Sequence, residues 1–162
     1  MFTVLSKIKN ILDKCILSFC GVALLALVAS VSWQVFSRYV LNNPSSWTDE
    51  FARYTMIWFG LAGACYLYGK NGHLSITLMI DAVPDKLKNA LQVLIHAASV
   101  IFIYLAMIKG GLLLVGRTMH QFSPALQIPM AYVYLVLPIA GFIMLTYIAI
   151  NTAQLFTNKE GN

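Results

Sequence analysis

The chain has 162 residues, of which 59% are hydrophobic and only 10% charged, with a formal net charge of +5. A soluble domain is nearer roughly 45–50% apolar and 25% charged, so this composition excludes an ordinary water-solvated domain and asks for a bilayer as solvent. The basic excess is strung out along the chain and forms no basic, aromatic-interleaved groove, which excludes nucleic acid as a partner.

The chain opens with "VLSKIKNILDKCIL", in which Leu5, Ile8, Leu12 and Ile16 recur at helical spacing. Lys7, Lys9, Asn10 and Lys14 lie mostly elsewhere on the wheel. The stretch reads either as an amphipathic helix lying in the membrane interface or as the first spanning helix extended outward. The first apolar run, "ILSFCGVALLALVASVSWQVF", predicts a span over about 16–41. A helix needs about 20 mostly apolar residues to cross a hydrocarbon core of about 30 Å. A lone run of this kind could be a signal peptide, but three more follow.

Pro44 and the serines around it break the chain. Ser46-x-x-Asp49 then fits a capping box that opens a second span over about 47–69. Asp49 and Glu50 fall in its first turn, where the helix dipole favours negative charge. Both acids can reach Arg53 at helical spacing. Ile57, Gly60 and Ala64 continue that stripe, and small residues allow a second helix to approach. Asp49, Glu50, Arg53, Ile57, Gly60 and Ala64 are therefore the candidate partner-interface face, or else an ion pair that seats the helix end. Charge at the mouth of an apolar run is the sequence's most conspicuous feature.

Gly69 and Gly72 stop the second helix, and Pro84 fits the first turn of a third over about 86–117. Lys88, Gln92, His96 and Ser99 make a polar stripe on its first half. His96 is either a hydrogen-bonded packing residue or a proton relay or haem ligand. Lys109, further along, can snorkel to the interface. "QFSPALQIPM" carries Pro124 and Pro129 and reads as a tight, fixed turn. The fourth span, about 129–156, contains Pro138, which should kink it.

Lys7, Lys9 and Lys14 precede the first span, Lys70, Lys86 and Lys88 lie between the second and third, and Lys159 follows the fourth. The positive-inside rule places both termini and the middle loop in the cytoplasm. The fold class is an all-α integral membrane protein of four transmembrane helices in one domain. Trp33, Tyr39, Trp47 and Tyr54 on one side, with Tyr66 and Tyr68 on the other, fit interfacial belts, and Trp58 lies deeper. Cys15, Cys20 and Cys65 form no Cys-x-x-Cys pair, against a disulfide oxidase. No nucleophile with a base, metal constellation or phosphate loop is present, so the chain reads as a non-enzymatic accessory subunit without cofactor or metal.

The run "WTDEFARYTMIWFGLAGACYLYGKNGHLSI", Trp47 to Ile76, resembles the small membrane subunit of tripartite ATP-independent periplasmic (TRAP) transporters, the DctQ-like family. Glu50, Arg53, Tyr54, Trp58, Gly60, Gly72 and His73 take the family's motif positions. "SPALQIPMAYVYLVLPIAGFIML" looks like its Ser-Pro-Ala-Leu…Ile-Pro segment and proline-bearing last helix. Thr77, and Ala131 with Tyr132, depart from the pattern. The resemblance implies a multi-pass protein of the bacterial inner membrane, surrounded by lipid. It implies a scaffold packed against a large membrane subunit that imports organic acids such as sialic acid or C4-dicarboxylates. The sodium gradient is used by that partner, and a periplasmic substrate-binding protein docks transiently. Two alternatives remain from the residues themselves. One is a membrane-anchor b-type cytochrome with haem on His96. The other is a small homodimeric exporter with Glu50 or His96 as its proton-coupled site.

Overall fold

The computed structural model describes the backbone of residues 2–70 and 85–158, and the side chains of 7–70, Leu91 and 94–151. The described residues are helical throughout, apart from loops and one isolated bridge between Phe122 and Pro129. In chain order the elements are α1 (Phe2–Tyr39), α2 (Ser46–Gly69), α3 (Asp85–Phe102), a π-helical segment (Ile103–Gly110), α4 (Gly111–Thr118), α5 (Met130–Tyr134) and α6 (Val136–Asn158). α1 packs along α2, and α2 packs in turn on α6. The π segment and α4 close against α5 and α6. The middle connection, with Gly72, His73 and Thr77, lies outside the described residues, as do the side chains of Lys88 and Gln92.

Among the described residues, three stretches are long and apolar enough to cross a membrane: Lys7–Tyr39, Leu94–Thr118 and Met130–Asn151. α2 has the length, at 24 residues, but Arg53 and its many Tyr, Trp and Gly residues dilute its apolarity. α1 is a single unbroken helix of 38 residues, roughly 57 Å long. Of the two readings of its start, this agrees with the first helix extended outward and not with a separate interfacial helix. No proline interrupts it, and contacts of Lys9 and Asp13 with α6 hold its first half against the bundle.

The core gathers Ile16 of α1, Cys65 of α2, Ile103 and Met107 of the π segment, and Ala140, Met144, Tyr147 and Ile148 of α6. The third helix is not uniform α-helix, as its sequence suggests, because of what it packs on. A Cβ at Gly141 would meet Ile108 Cγ1 at 2.9 Å, and one at Gly111 would meet Pro138 Cδ at 2.9 Å. The backbones approach there only because glycine faces each neighbour, and the π turn lies on that seam. Pro138 breaks the last helix as expected. Its ring denies a donor to Tyr134 and crowds that carbonyl, so α5 ends there and α6 restarts at Val136.

The expected capping box of α2 does not form. Its N-cap is Ser45, without a side-chain cap bond, and the Thr48 hydroxyl donates to the Ser45 carbonyl at 2.7 Å instead.

Gly69 is a close contact of another kind. A Cβ there would stand 2.5 Å from Cε1 of the Tyr147 ring, and that ring cannot swing aside without losing its hydroxyl's partner, Asp13. Gly69→Ala should therefore destabilise the chain by about 1–3 kcal/mol through overpacking. Gly21→Ala, which meets nothing within 4 Å, should be neutral or stabilising by up to about 1 kcal/mol. Thermal unfolding of both variants in detergent checks the contrast. Equal melting temperatures would refute it.

Candidate functional site

Two polar clamps hold the ends of the bundle. The first lies at the end carrying the α1–α2 turn and the 119–129 loop. Glu50, one turn into α2, is buried although it is charged. Its Oε1 accepts the Ala125 backbone N–H at 3.1 Å, and its Oε2 accepts that of Leu126 at 3.0 Å. An ionised carboxylate is acceptor-only, which suits two converging N–H donors.

The loop it grips is folded on itself. Ser123 is fully buried; its N–H donates to the Ile128 carbonyl at 2.9 Å, and its hydroxyl accepts the Ile128 N–H at 3.3 Å. Gln127 takes a left-handed φ of 54° to make the turn. The Met130 N–H donates back to the Gln121 carbonyl at 2.8 Å. Pro124 and Pro129 thus sit in a tight turn, as their spacing suggests. Nearby, the buried Ser30 hydroxyl donates to the Thr48 carbonyl at 3.2 Å and ties α1 to the start of α2.

The second clamp lies at the opposite end. Asp13 of α1 is buried. The hydroxyl of the fully buried Tyr147 donates to its Oδ1 at 2.6 Å, and Lys70, just past α2, sets its Nζ 3.1 Å from Oδ2. Lys70 also lies 5.7 Å from the Tyr66 ring centre. The hydrogen bond and charge of Asp13 hold the Lys70 ammonium above the ordinary lysine range. One turn before Asp13, Lys9 donates to Asn151 Oδ1 of α6 at 2.9 Å. Three helices therefore meet on one carboxylate.

The structure separates the two acids that the sequence grouped together. Asp49 pairs with Arg53 at 2.8 Å on an open face, their side chains 57% and 68% exposed. Glu50 points the other way, because a step of one residue turns a helix by about 100°. Of the two acids within reach of Arg53 by spacing, Asp49 makes the pair and Glu50 grips the loop instead. With both oxygens engaged by backbone, Glu50 has a structural task here rather than a free proton to trade.

Along the same open face Ile57 and Gly60 are exposed and Ala64 is half-buried. Nothing stands within 4 Å of a Cβ built on Gly60, so among the described residues no helix packs at that point, while Ala64 further along packs against the core. His96 and Ser99 are half-buried on α3, and His96 Nδ1 is shielded with no hydrogen-bond partner among the described residues. His120 is exposed in the far loop. Lys109 is exposed on the π segment. Trp58 lies 6.3 Å from Phe19 of α1, centre to centre. Among the described residues no three His, Cys, Asp or Glu side chains gather to hold a metal.

Asp13, Tyr147, Lys70 and Ser123 escaped the sequence reading. Asp13 carried a signal, since it is the sole acid before Asp49 and adjoins the apolar stripe of Leu12 and Ile16. Tyr147 and Ser123 carried none, because a tyrosine in an apolar run and a serine before a proline are both ordinary.

Comparison with known proteins places these features. Residues 27–158 match the family described as "Tripartite ATP-independent periplasmic transporters, DctQ component". The chain is 31% identical over 85 residues to the sialic acid TRAP transporter small permease protein SiaQ of Vibrio cholerae, a match covering 52% of this chain and about half (49%) of that relative's length. It is 26% identical to a putative TRAP transporter small permease protein of Haemophilus influenzae, across 85% of each chain. It is also 28% identical to the isethionate TRAP transporter permease protein DctMQ of Oleidesulfovibrio alaskensis, covering 78% of this chain but 21% of that longer one.

Glu50→Gln turns one of the two acceptors into an amide that faces a backbone N–H, and should cost about 1–3 kcal/mol. Asp49→Asn disturbs an exposed i, i+4 pair and should cost at most about 0.5 kcal/mol. Unfolding curves, with limited proteolysis of the 119–129 loop, measure both. Protease sensitivity that rises for Asp49→Asn and not for Glu50→Gln would contradict the assignment.

Proposed function

The chain belongs to the DctQ component family of tripartite ATP-independent periplasmic transporters and is a multi-pass protein of the inner membrane; from that premise we propose that it is the non-catalytic small permease subunit of an organic-acid importer, a scaffold for a large transport subunit. The observation that carries the reading is the open face of α2. Asp49, Arg53, Ile57 and Gly60 line one side of a helix whose other sides pack on α1 and α6. A charged pair above an apolar stripe with room at Gly60 suits a second protein, whose helix can pack closely where glycine carries no side chain.

The fourth span in this reading is α2 itself. Glu50 and Lys70 stand twenty residues apart in sequence, roughly 30 Å along a helix and close to the hydrocarbon thickness. Arg53 is the one charge between them. The clamp of Asp13, Lys70 and Tyr147 then lies at the cytoplasmic boundary with both termini and the middle loop, as the lysine distribution favours. Glu50 and its loop lie at the periplasmic boundary, where a soluble substrate-binding protein would dock.

The substrate class is an organic acid, with sialic acid or a C4-dicarboxylate as the expected cargo. The relatives support this class, being named for sialic acid and for isethionate. The sodium gradient acts on the large subunit. The DctMQ relative supports lasting association with such a subunit, because the matching region there is one part of a longer permease.

Co-expression with the large subunit from the same source tests the reading. The wild-type chain should co-purify with it. Gly60→Leu should lower the yield of complex several-fold while the lone chain melts at an unchanged temperature. Arg53→Ala should lower transport in proteoliposomes and leave substrate affinity of the large subunit intact. Full complex and full transport with both variants would refute the α2 face as the partner surface.

A further inference from the structure

Between Leu94 and Asn151 the sequence holds two charged residues, Lys109 and Arg117. Arg117 stands in the last turn of α4, beside the 119–129 loop that Glu50 grips at the boundary. Lys109 stands eight residues earlier, about 12 Å deeper along the helix. The hydrocarbon layer is about 30 Å thick, so its midplane lies about 15 Å below that boundary. Lys109 is therefore within about one helical turn of the midplane. Its side chain points out of the bundle. Ile103, Met107, Ile108 and Gly111 of the same helix are buried, while Leu105, Leu112 and Leu113 around Lys109 are exposed. Lys109 makes no hydrogen bond or ion pair among the described residues.

A protonated amine at that depth needs an anion, and few sources can supply one. A lysine stem reaches about 6 Å, so it carries its amine to an interface only from nearby. Here the near interface is about 12 Å away, and the helical Cα–Cβ bond tilts toward the N-terminus, away from it. Phospholipid phosphates lie beyond the hydrocarbon edge and out of reach. A second copy of this chain has no carboxylate to offer at that depth. Of its six acids, Asp13 is held by Lys70 and Tyr147, Glu50 by the loop, and Asp49 by Arg53 at the boundary. Asp81 and Asp85 stand at or before the start of α3, and Glu160 follows the end of α6. We propose that Lys109 forms an intramembrane ion pair with an Asp or Glu side chain of the large subunit, on a helix that packs along the Leu105–Gly116 face. A Cβ on Gly116 meets nothing within 4 Å, which leaves that helix room to approach. Such a pair selects depth, because a slip of one turn, about 5.4 Å, leaves both charges buried and unpaired. The proposal rests on the reading that a large membrane subunit partners this chain, and makes no use of the α2 face.

The test uses the complex co-expressed with the large subunit. Lys109→Arg should keep the yield of complex. Lys109→Met should lower it several-fold, because the partner's carboxylate is left buried and unpaired, and Lys109→Glu should lower it further. The lone Lys109→Met chain should melt at or above the wild-type temperature, which separates lost pairing from misfolding. Dicyclohexylcarbodiimide, a membrane-soluble reagent, couples an amine directly to a neighbouring carboxylate. In wild-type membranes it should join Lys109 to one Asp or Glu of the large subunit, seen as a single cross-linked peptide by mass spectrometry and absent from Lys109→Arg. Full complex with Lys109→Met would overturn the proposal, since the amine would then rest in lipid without a partner. Loss of complex with no Lys109 amide in the wild type would overturn it as well, because the acceptor would be no carboxylate. An amide to a second copy would replace it with self-association on this face. A wild-type chain that never co-purifies with the large subunit would sink the small-subunit reading and this proposal with it.

Discussion

Backbone groups at the edge of a hydrocarbon layer must find partners within the protein, and in this chain the bond from Glu50 to the 119–129 loop meets that constraint where no helix can. A helix satisfies its own interior, but the turn between α4 and α5 leaves N–H groups facing inward. Ala125 and Leu126 present two of them, and one carboxylate takes both. Because Glu50 belongs to α2, the same two bonds join the hairpin of α1 and α2 to the half of the chain built from α4, α5 and α6. The cost of a buried charge is offset by two charge-assisted bonds that no neutral side chain could make in the same space. At the other end Asp13 does the same between helices rather than for a loop, gathering Tyr147 and Lys70.

Between these clamps the polar contacts shown are weak ones to or from sulfur, Tyr54 to Met130 and Cys65 to Ala140, and the packing follows from residue size. Gly111 against Pro138 and Gly141 against Met107 and Ile108 bring the third and last helices into backbone contact. Pro138 has already broken its own helix, so its surroundings must fit an irregular backbone. The π turn opposite is the complementary irregularity. Each of the two distortions would be costly alone, and packed on each other they share one seam.

The sequence made the apolar runs, the tight proline turn and the broken last helix legible, because each rests on a local rule: run length, ring sterics, missing donors. It also marked the right place at Asp49, Glu50 and Arg53. It did not say which acid did what. Spacing of three and of four both bring a side chain over Arg53, and only the tertiary position of the loop decides that Glu50 turns away. The π segment was illegible for a similar reason. "IYLAMIKG" is a sound α-helix by propensity, and its distortion is imposed by a helix thirty residues further on. Asp13 could have been found, since a single acid beside an apolar stripe must have a partner. Its partners, Tyr147 and Lys70, lie on two other helices that no pattern in the sequence pairs with it.

The result is a chain with two unlike faces on one helix. The Arg53 side of α2 is convex, charged at its rim and bare at Gly60, so whatever meets it must bring its own surface. The Trp58 side faces an open, apolar groove between α1 and α5–α6. Rigidity explains why both can persist. The clamps lie about one bilayer thickness apart and fix α1, α2 and α6 at their ends, so neither face is free to collapse onto the rest of the chain.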